Sequence, residues 1–204
     1  MFGGLPAVLT RAQERGLLGP GPVDEQLEHA RRLAELIGPP PSSFLDLGSG
    51  AGIPGLVLAL AWPTATGVLL DSGRRRGDHL RAACAELGLA DRVAVVVARA
   101  EEAAHRPEWR GRLALVVARG FGRPAVTAEC AVGFLEAGGE LVVSEPPGGA
   151  PERWDRAGLA RLGLGAPEVR SAGGASIARL RLERAPGREW PRRTGVPARR
   201  PLWR

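Results

Sequence analysis

The chain contains no lysine, no asparagine and no tyrosine, and all 28 of its basic residues are arginine. Without lysine, the Lys-Ser or Lys-Thr with which a nucleoside-triphosphate P-loop reaches phosphates and magnesium is missing. Cysteine is almost as scarce. Cys84 and Cys130 lie 46 positions apart, which fits neither a disulfide framework nor a metal-ligand spacing. Both fall in predicted helices and read as buried small apolar residues. The three histidines, His29, His79 and His105, are scattered, each reading as structural or exposed. No nucleophile–base pair or metal cluster gathers around them, so neither hydrolase chemistry nor a bound metal is expected. Long hydrophobic runs are absent too: the longest, Ile53 to Trp62, is stopped by Pro63, well short of a membrane span. The N-terminus does not pair a basic segment with an apolar one, so no signal peptide is expected. The expected setting is the reducing cytoplasm, with no membrane contact and a monomeric chain.

What is present is a glycine loop. Phe44-Leu45-Asp46-Leu47 runs into Gly48-Ser49-Gly50-Ala51-Gly52-Ile53-Pro54-Gly55, four glycines in eight residues, and a second apolar run follows from Val57. This reads as strand, tight loop and buried helix, with a backbone able to turn sharply and approach a ligand. Asp71 closes the next apolar run at the distance where a nucleotide-binding βαβ unit carries its ribose-binding acid. Gly50, Gly52 and Gly55 satisfy the dinucleotide pattern G-x-G-x-x-G, but the glycines begin earlier, at Gly48, and Asp46 lies in the strand before them. A carboxylate there would repel a pyrophosphate. It would suit a cofactor that carries an amino group and a sulfonium, as S-adenosylmethionine does.

The remaining pattern alternates strands with helices. Strands are expected at Ser43–Leu47, Gly67–Leu70, Val93–Val97, Leu113–Ala118, Glu140–Ser144, Glu168–Ser171 and Ser176–Leu182. Helices are expected at Gly55–Leu60, Arg76–Leu87, Ala125–Leu135 (closed by Gly138-Gly139) and Glu152–Leu162. Such alternation means an α/β fold with a mostly parallel, doubly wound, seven-stranded sheet. Its closing hairpin, turned at Gly173-Gly174, is the Rossmann-like arrangement of class I S-adenosylmethionine-dependent methyltransferases. The expected organisation is a helical lead over 1–40, the α/β domain over 41–184 and a basic tail over 185–204.

Ligands of these sheets sit beyond the strand ends. Gly48, Gly50 and Gly52 would pass the methionine portion of the cofactor, with Ile53 as an apolar wall. Asp71, followed by Ser72, can accept both ribose hydroxyls or cap the next helix. Ala100 and Glu101 follow strand three, where an adenine edge is met; Glu101 and Glu102 could equally be first-turn acids favoured by a helix dipole. Arg119 directly follows the apolar run Leu113–Ala118, so a buried strand sets its place.

Leu45 to Gly55, then Leu69-Leu70-Asp71-Ser72, Arg99-Ala100-Glu101-Glu102 and Ala118-Arg119 together resemble the RsmG (GidB) family. The tail adds a second match: Trp190-Pro191-Arg192-Arg193-Thr194-Gly195-Val196-Pro197-Ala198-Arg199-Arg200-Pro201-Leu202 resembles that family's ending. The resemblance covers roughly residues 26–202. It implies a transferase that uses S-adenosyl-L-methionine to methylate N7 of a guanine in 16S ribosomal RNA, with ribosomal RNA or the small ribosomal subunit as partner. It also implies that Arg119 touches the cofactor and acts in catalysis by orienting the base. Guanine N7 has an available lone pair and needs no general base, which accords with the lack of one; positioning would carry the reaction. The chain departs from the family in two places. It lacks the asparagine-bearing N-terminal motif, and its fifth strand runs into Ser144-Glu145-Pro146-Pro147 where family members usually have Lys-Gly. That turn sustains an alternative, a methyltransferase of the same fold acting on a small molecule or protein; a noncatalytic RNA-binding relative is another.

The net charge of +6 is concentrated at the C-terminus: Gly187 to Arg204 holds six arginines and one glutamate. Arg188, Arg192, Arg193, Arg199 and Arg200 are candidate RNA contacts. The other reading is a tail packed on the domain by Trp190 and Trp203. In either case the tail is expected to act independently of the cofactor, because the glycine loop and Asp71 lie elsewhere on the fold.

Overall fold

The computed structural model describes residues 3–147 and 150–204. Among these residues, β1 (Ser43–Leu47), β2 (Thr66–Asp71), β3 (Val93–Val97), β4 (Leu113–Ala118), β5 (Leu135–Glu145), β6 (Glu168–Ala172) and β7 (Ala175–Arg181) form one sheet in the order β3–β2–β1–β4–β5–β7–β6. The first five are parallel, and β7 runs antiparallel to both β5 and β6. This is the Rossmann-like methyltransferase sheet expected from the sequence. Its strand order reverses between β1 and β4, where sheets of this kind bind ligands.

Helices cover both faces. Successive β1 side chains point to opposite sides: Phe44 joins one buried cluster, and Leu45 and Leu47 join the other. On the Phe44 side lie α1 (Leu5–Glu14), α2 (Val23–Ile37), α3 (Gly55–Ala61) and α4 (Arg74–Glu86). The apolar stripe of α2, Leu27, Ala30, Leu33 and Ile37, is buried. On the other side lie α5 (Ala100–Ala103), α6 (Pro124–Val132), α7 (Arg156–Leu162) and, from the tail, Trp190. The short helix α8 (Val196–Arg199) lies within the tail. Cys84 and Cys130 are buried in α4 and α6, and burial pushes both thiols up, Cys84 to about 11.

The helix expected over Glu152–Leu162 is instead a 3₁₀ turn, Pro151–Arg153, followed by α7 from Arg156, and a second segment differs more. The helix expected to run to Leu135 stops at Val132, and β5 begins at Leu135. The Phe134 carbonyl accepts the Arg112 and Leu113 N–H groups, so the chain is already paired with β4 there. Gly138, with φ +78°, and Gly139 do not close a helix. They form an irregularity inside β5, where a Cβ on Gly139 would lie 3.0 Å from the Leu113 carbonyl. A glycine pair after an apolar run reads alike in both settings; only the partner strand separates them.

Candidate active site

The glycine loop is braced from beneath by two aspartates. Asp46 lies on the inner face of β1 and is 1% exposed. Its Oδ2 accepts from Ser49 Oγ at 2.6 Å and from the Gly55 amide at 2.9 Å, tying both ends of the loop to one carboxylate. Burial raises its pKa to about 6; the bonds from Ser49 and Gly55 pull it back, and the nearby charge of Asp71 pushes it further up. Asp46, read from the sequence only as a charge that suits a cationic cofactor, is an internal brace of the loop. His79, also buried, holds the loop from α4, with Nε2 3.2 Å from the Ala51 carbonyl.

Asp71 sits at the mouth of the loop. Its Oδ2 accepts from the Gly50 amide at 2.9 Å and its Oδ1 from the Gly73 amide at 2.8 Å, just before α4. Arg76 Nη1 approaches Oδ2 at 3.6 Å. Asp71 thus braces the turn that leads into α4, whose first turn carries no side-chain cap. It also lines a cavity together with Gly48, Ser72, Arg76, Ala100, Glu101 and Phe121, and a carboxylate has capacity for further donors.

The loop conformation demands glycine where this cavity comes close. Gly48 has φ +75°, and a Cβ there would lie 2.6 Å from the Phe121 ring. Gly50 and Gly52 also have positive φ but do not line the cavity. Ile53 does not form its wall: it is 7% exposed and belongs to the core cluster on the Phe44 side. Arg76 and Phe121 are cavity residues that sequence reasoning missed. Their only signal is position, five residues after Asp71 and two after Arg119.

Glu101 is 3% exposed. Its Oε1 accepts from the Gly195 amide at 2.9 Å and from Arg99 at 3.3 Å, while Oε2 is buried with no hydrogen-bond partner among the described residues. Burial tends to raise its pKa, but the Gly195 bond, its own backbone N–H and then Arg99 prevail and hold it below the usual glutamate value.

A second cavity adjoins the first, and both are bordered by Gly120 and Phe121. Its other walls include His29 from α2 and Ser144, Glu145 and Arg153. His29 Nε2 lies 3.3 Å from Ser144 Oγ. Burial lowers the His29 pKa, and the charges of Arg119 and Arg32 lower it further. His29 thus borders the second cavity, although no local pattern could pair it with a serine 115 positions away. Among the described residues no hydrogen bond or ion pair holds the Arg119 guanidinium; burial lowers its pKa, and Asp46 partly offsets this. Glu145, which made the turn after β5 look acidic, is 5% exposed and closed internally. It accepts from Arg153 Nη1 at 2.5 Å and Trp154 Nε1 at 3.2 Å.

The tail is docked. Trp190 is 6% exposed, with the Arg161 and Arg192 guanidinium carbons 5.8 and 5.6 Å from its ring centre. Arg110 donates to the Trp190 and Gly187 carbonyls, and His105 contacts the Pro191 carbonyl at 2.7 Å. Arg192 forms a fork with the buried Glu129, at 2.8 and 2.6 Å. Trp203 Nε1 donates to the Arg153 carbonyl at 3.0 Å. Two expectations change. Arg192 is engaged by Glu129 and is not a free phosphate contact, whereas Arg188, Arg193, Arg199 and Arg200 remain at the surface. The tail is also not separate from the first cavity, because Gly195 bonds Glu101. Among the described residues no His/Cys/Asp/Glu group is arranged to hold a metal ion, and no helix is long and apolar enough to cross a membrane.

Comparison with known proteins agrees with this architecture. The profile of the family "rRNA small subunit methyltransferase G" (GidB) matches residues 13–145, more than half of the chain. A ribosomal RNA small subunit methyltransferase G of Rubrobacter xylanophilus is 38% identical over 170 residues, covering 77% of this chain and 64% of the relative. The Moorella thermoacetica protein of that name is 33% identical, covering 80% and 71%. One from Prochlorococcus marinus is 34% identical, covering 89% and 73%. The chain thus spans about two thirds of the length of these relatives. Among solved structures, a T. thermophilus 16S rRNA N2 guanine methyltransferase in complex with AdoMet and guanosine superposes with a TM-score of 0.55 at 24% identity, covering 78% of this chain and 40% of that one. The mitomycin 7-O-methyltransferase gives 0.62 at 17% identity, covering 77% and 54%. These two likenesses speak to the fold.

Proposed function

The chain belongs to the rRNA small subunit methyltransferase G (GidB) family, and on that premise we propose that it methylates N7 of a guanine in small-subunit ribosomal RNA, using S-adenosylmethionine. The observation that carries this reading is the pair of adjoining cavities that meet at Gly120 and Phe121. One suits an adenosyl cofactor and the other an acceptor base.

The residues of the first cavity fit the cofactor. Asp71, held by two backbone amides, retains lone pairs for ribose hydroxyls, beside Ser72. Gly48 approaches without a Cβ. The Ala100–Glu101 corner offers a buried oxygen, Oε2, that lacks a donor, as an amino-purine edge would supply. The bound cofactor would furnish an electrophilic methyl group on a sulfonium. Arg119, whose guanidinium has no hydrogen bond among the described residues, would orient the acceptor by donating to an oxygen such as guanine O6. His29 and Ser144 line the second cavity, which Arg119 does not itself line; Arg119 precedes Gly120, a residue of both cavities. No side chain need remove a proton before N7 attacks, so rate enhancement comes from alignment. The surface arginines Arg188, Arg193, Arg199 and Arg200 would meet RNA phosphates. The turn that sustained a small-molecule or protein substrate presents no free carboxylate, since Glu145 is paired with Arg153.

The test is transfer of labelled methyl groups from S-adenosylmethionine to small subunits from a strain lacking the enzyme, with 7-methylguanosine sought in the digest. Label appearing in protein, or in no RNA nucleoside, overturns the reading. Arg119→Ala should lower turnover by more than about tenfold, the effect of removing one charged hydrogen bond, with a smaller change in cofactor affinity. Equal losses in both would make Arg119 a cofactor contact only.

A further inference from the structure

The C-terminal segment supplies a backbone donor to Glu101, a residue that lines the first cavity. The Gly195 amide donates to Glu101 Oε1, and Thr194 Oγ1 donates to Glu102 at 3.0 Å. The Arg192–Glu129 fork fixes the same stretch of chain two positions earlier. A carboxylate has two equivalent oxygens, and its own chemistry does not decide which one faces a ligand. Here Arg99, two positions away at 3.3 Å, and the Gly195 amide, 94 positions away at 2.9 Å, both engage Oε1, and Oε2 remains buried and unpartnered in a residue that lines the cavity.

We propose that Gly195 is a positioning residue for purine selectivity: its N–H holds Glu101 so that Oε2 accepts from the amino group of a 6-aminopurine, which makes discrimination in the cavity depend on the docked tail. This rests on the adenosyl reading of that cavity. An ordinary structural role for the tail would change stability or overall affinity. It would not change the choice between two ligands that differ only at the 6-position.

The experiment is calorimetry with S-adenosylhomocysteine and S-inosylhomocysteine, which replaces the amino group with a carbonyl oxygen. The full chain should prefer the adenosyl ligand by about tenfold or more, the range for a hydrogen bond to a charged group. A chain ending at Arg193 keeps Trp190 and Arg192, and its preference should fall to within about threefold. Glu101→Gln in the full chain is the sharper arm. Gly195 should claim the amide oxygen and leave the NH₂ facing the ligand, so the preference inverts toward the inosyl ligand. In the shortened chain the amide can turn over and the inversion should vanish. A shortened, folded chain that keeps the full preference overturns the proposal. So does a Glu101→Gln variant of the full chain that shows no inversion, which decides the matter even if the shortened chain does not fold. Failure of the full chain to bind either ligand overturns the adenosyl reading and this proposal with it. Binding of S-adenosylhomocysteine without the expected tail dependence overturns this proposal alone.

Discussion

The glycine loop and the arginine-rich tail are both stabilised by buried carboxylates, but they differ in how far along the chain those carboxylates lie. The loop is tied by Asp46 to Ser49 and Gly55, three and nine positions away, and by Asp71 to Gly50, 21 away. The tail is tied by Glu129 to Arg192 and by Glu101 to Gly195, 63 and 94 positions away. The loop is a nearly self-contained turn, whereas the tail takes its shape from the surface on which it lies. Damage to the loop should therefore register in ligand binding and its pH dependence, and damage to the tail chiefly in stability.

The largest effect should come from Arg192→Met. It leaves Glu129, which is 0% exposed, with only the Arg192 backbone amide as a donor, and breaking a buried pair from one side costs up to about 3–5 kcal/mol. Urea denaturation measures this. An unchanged midpoint would mean that the tail is not held as described and would return Arg192 to the candidate RNA contacts.

Asp46→Asn sharpens the comparison through pH. The folded-state pKa of about 6 lies above the ordinary value of 3.8, so the folded chain holds this proton more tightly than the unfolded chain. The group favours the fold below pH 3.8, and that contribution is lost as pH rises through about 6. The decrease is of order 3 kcal/mol. The variant should lack this fall, so stability curves of the two proteins should diverge between about pH 4 and 6. Parallel curves would show that Asp46 is not buried as described.

Asp71→Ala should weaken S-adenosylhomocysteine binding by about 1.5–3 kcal/mol and lower stability by about 1 kcal/mol by removing the bond to Gly73. Calorimetry and thermal melts separate the two effects. A drop in stability with unchanged affinity would reduce Asp71 to a brace of the loop and of the turn before α4.

The smallest change in the protein itself should follow Arg193, Arg199 and Arg200 replaced together by alanine. All three are exposed and leave the docking bonds intact. Stability should stay within about 0.5 kcal/mol, while the slope of log RNA affinity against log salt flattens by roughly 0.7 for each phosphate that is no longer neutralised. A filter-binding salt titration that keeps its slope would remove these arginines from the RNA interface.

The sheet, the glycine loop and the acid at Asp71 were legible in the sequence. Apolar periodicity and glycine spacing are local properties, and a strand pattern such as Val93–Val97 means the same in any surroundings. Gly48, Asp71, Ser72, Ala100 and Glu101 line one cavity because each lies at or just beyond the end of a parallel strand, and parallel strands bring their ends to one edge. Side-chain direction and charge pairing were not legible. Ile53 turns into the core, Asp46 faces inward, and Glu145 and Arg192 each find a partner, because those outcomes depend on which segments meet in three dimensions. His29 reached Ser144 only through the packing of α2 beside β7 and the strands next to it. The residue types and their local spacing determined the class of fold and the place of the loop. Only the tertiary structure decided which charges are neutralised inside the protein and which remain free for a ligand, since pairing a buried charge requires proximity that the order of residues does not encode.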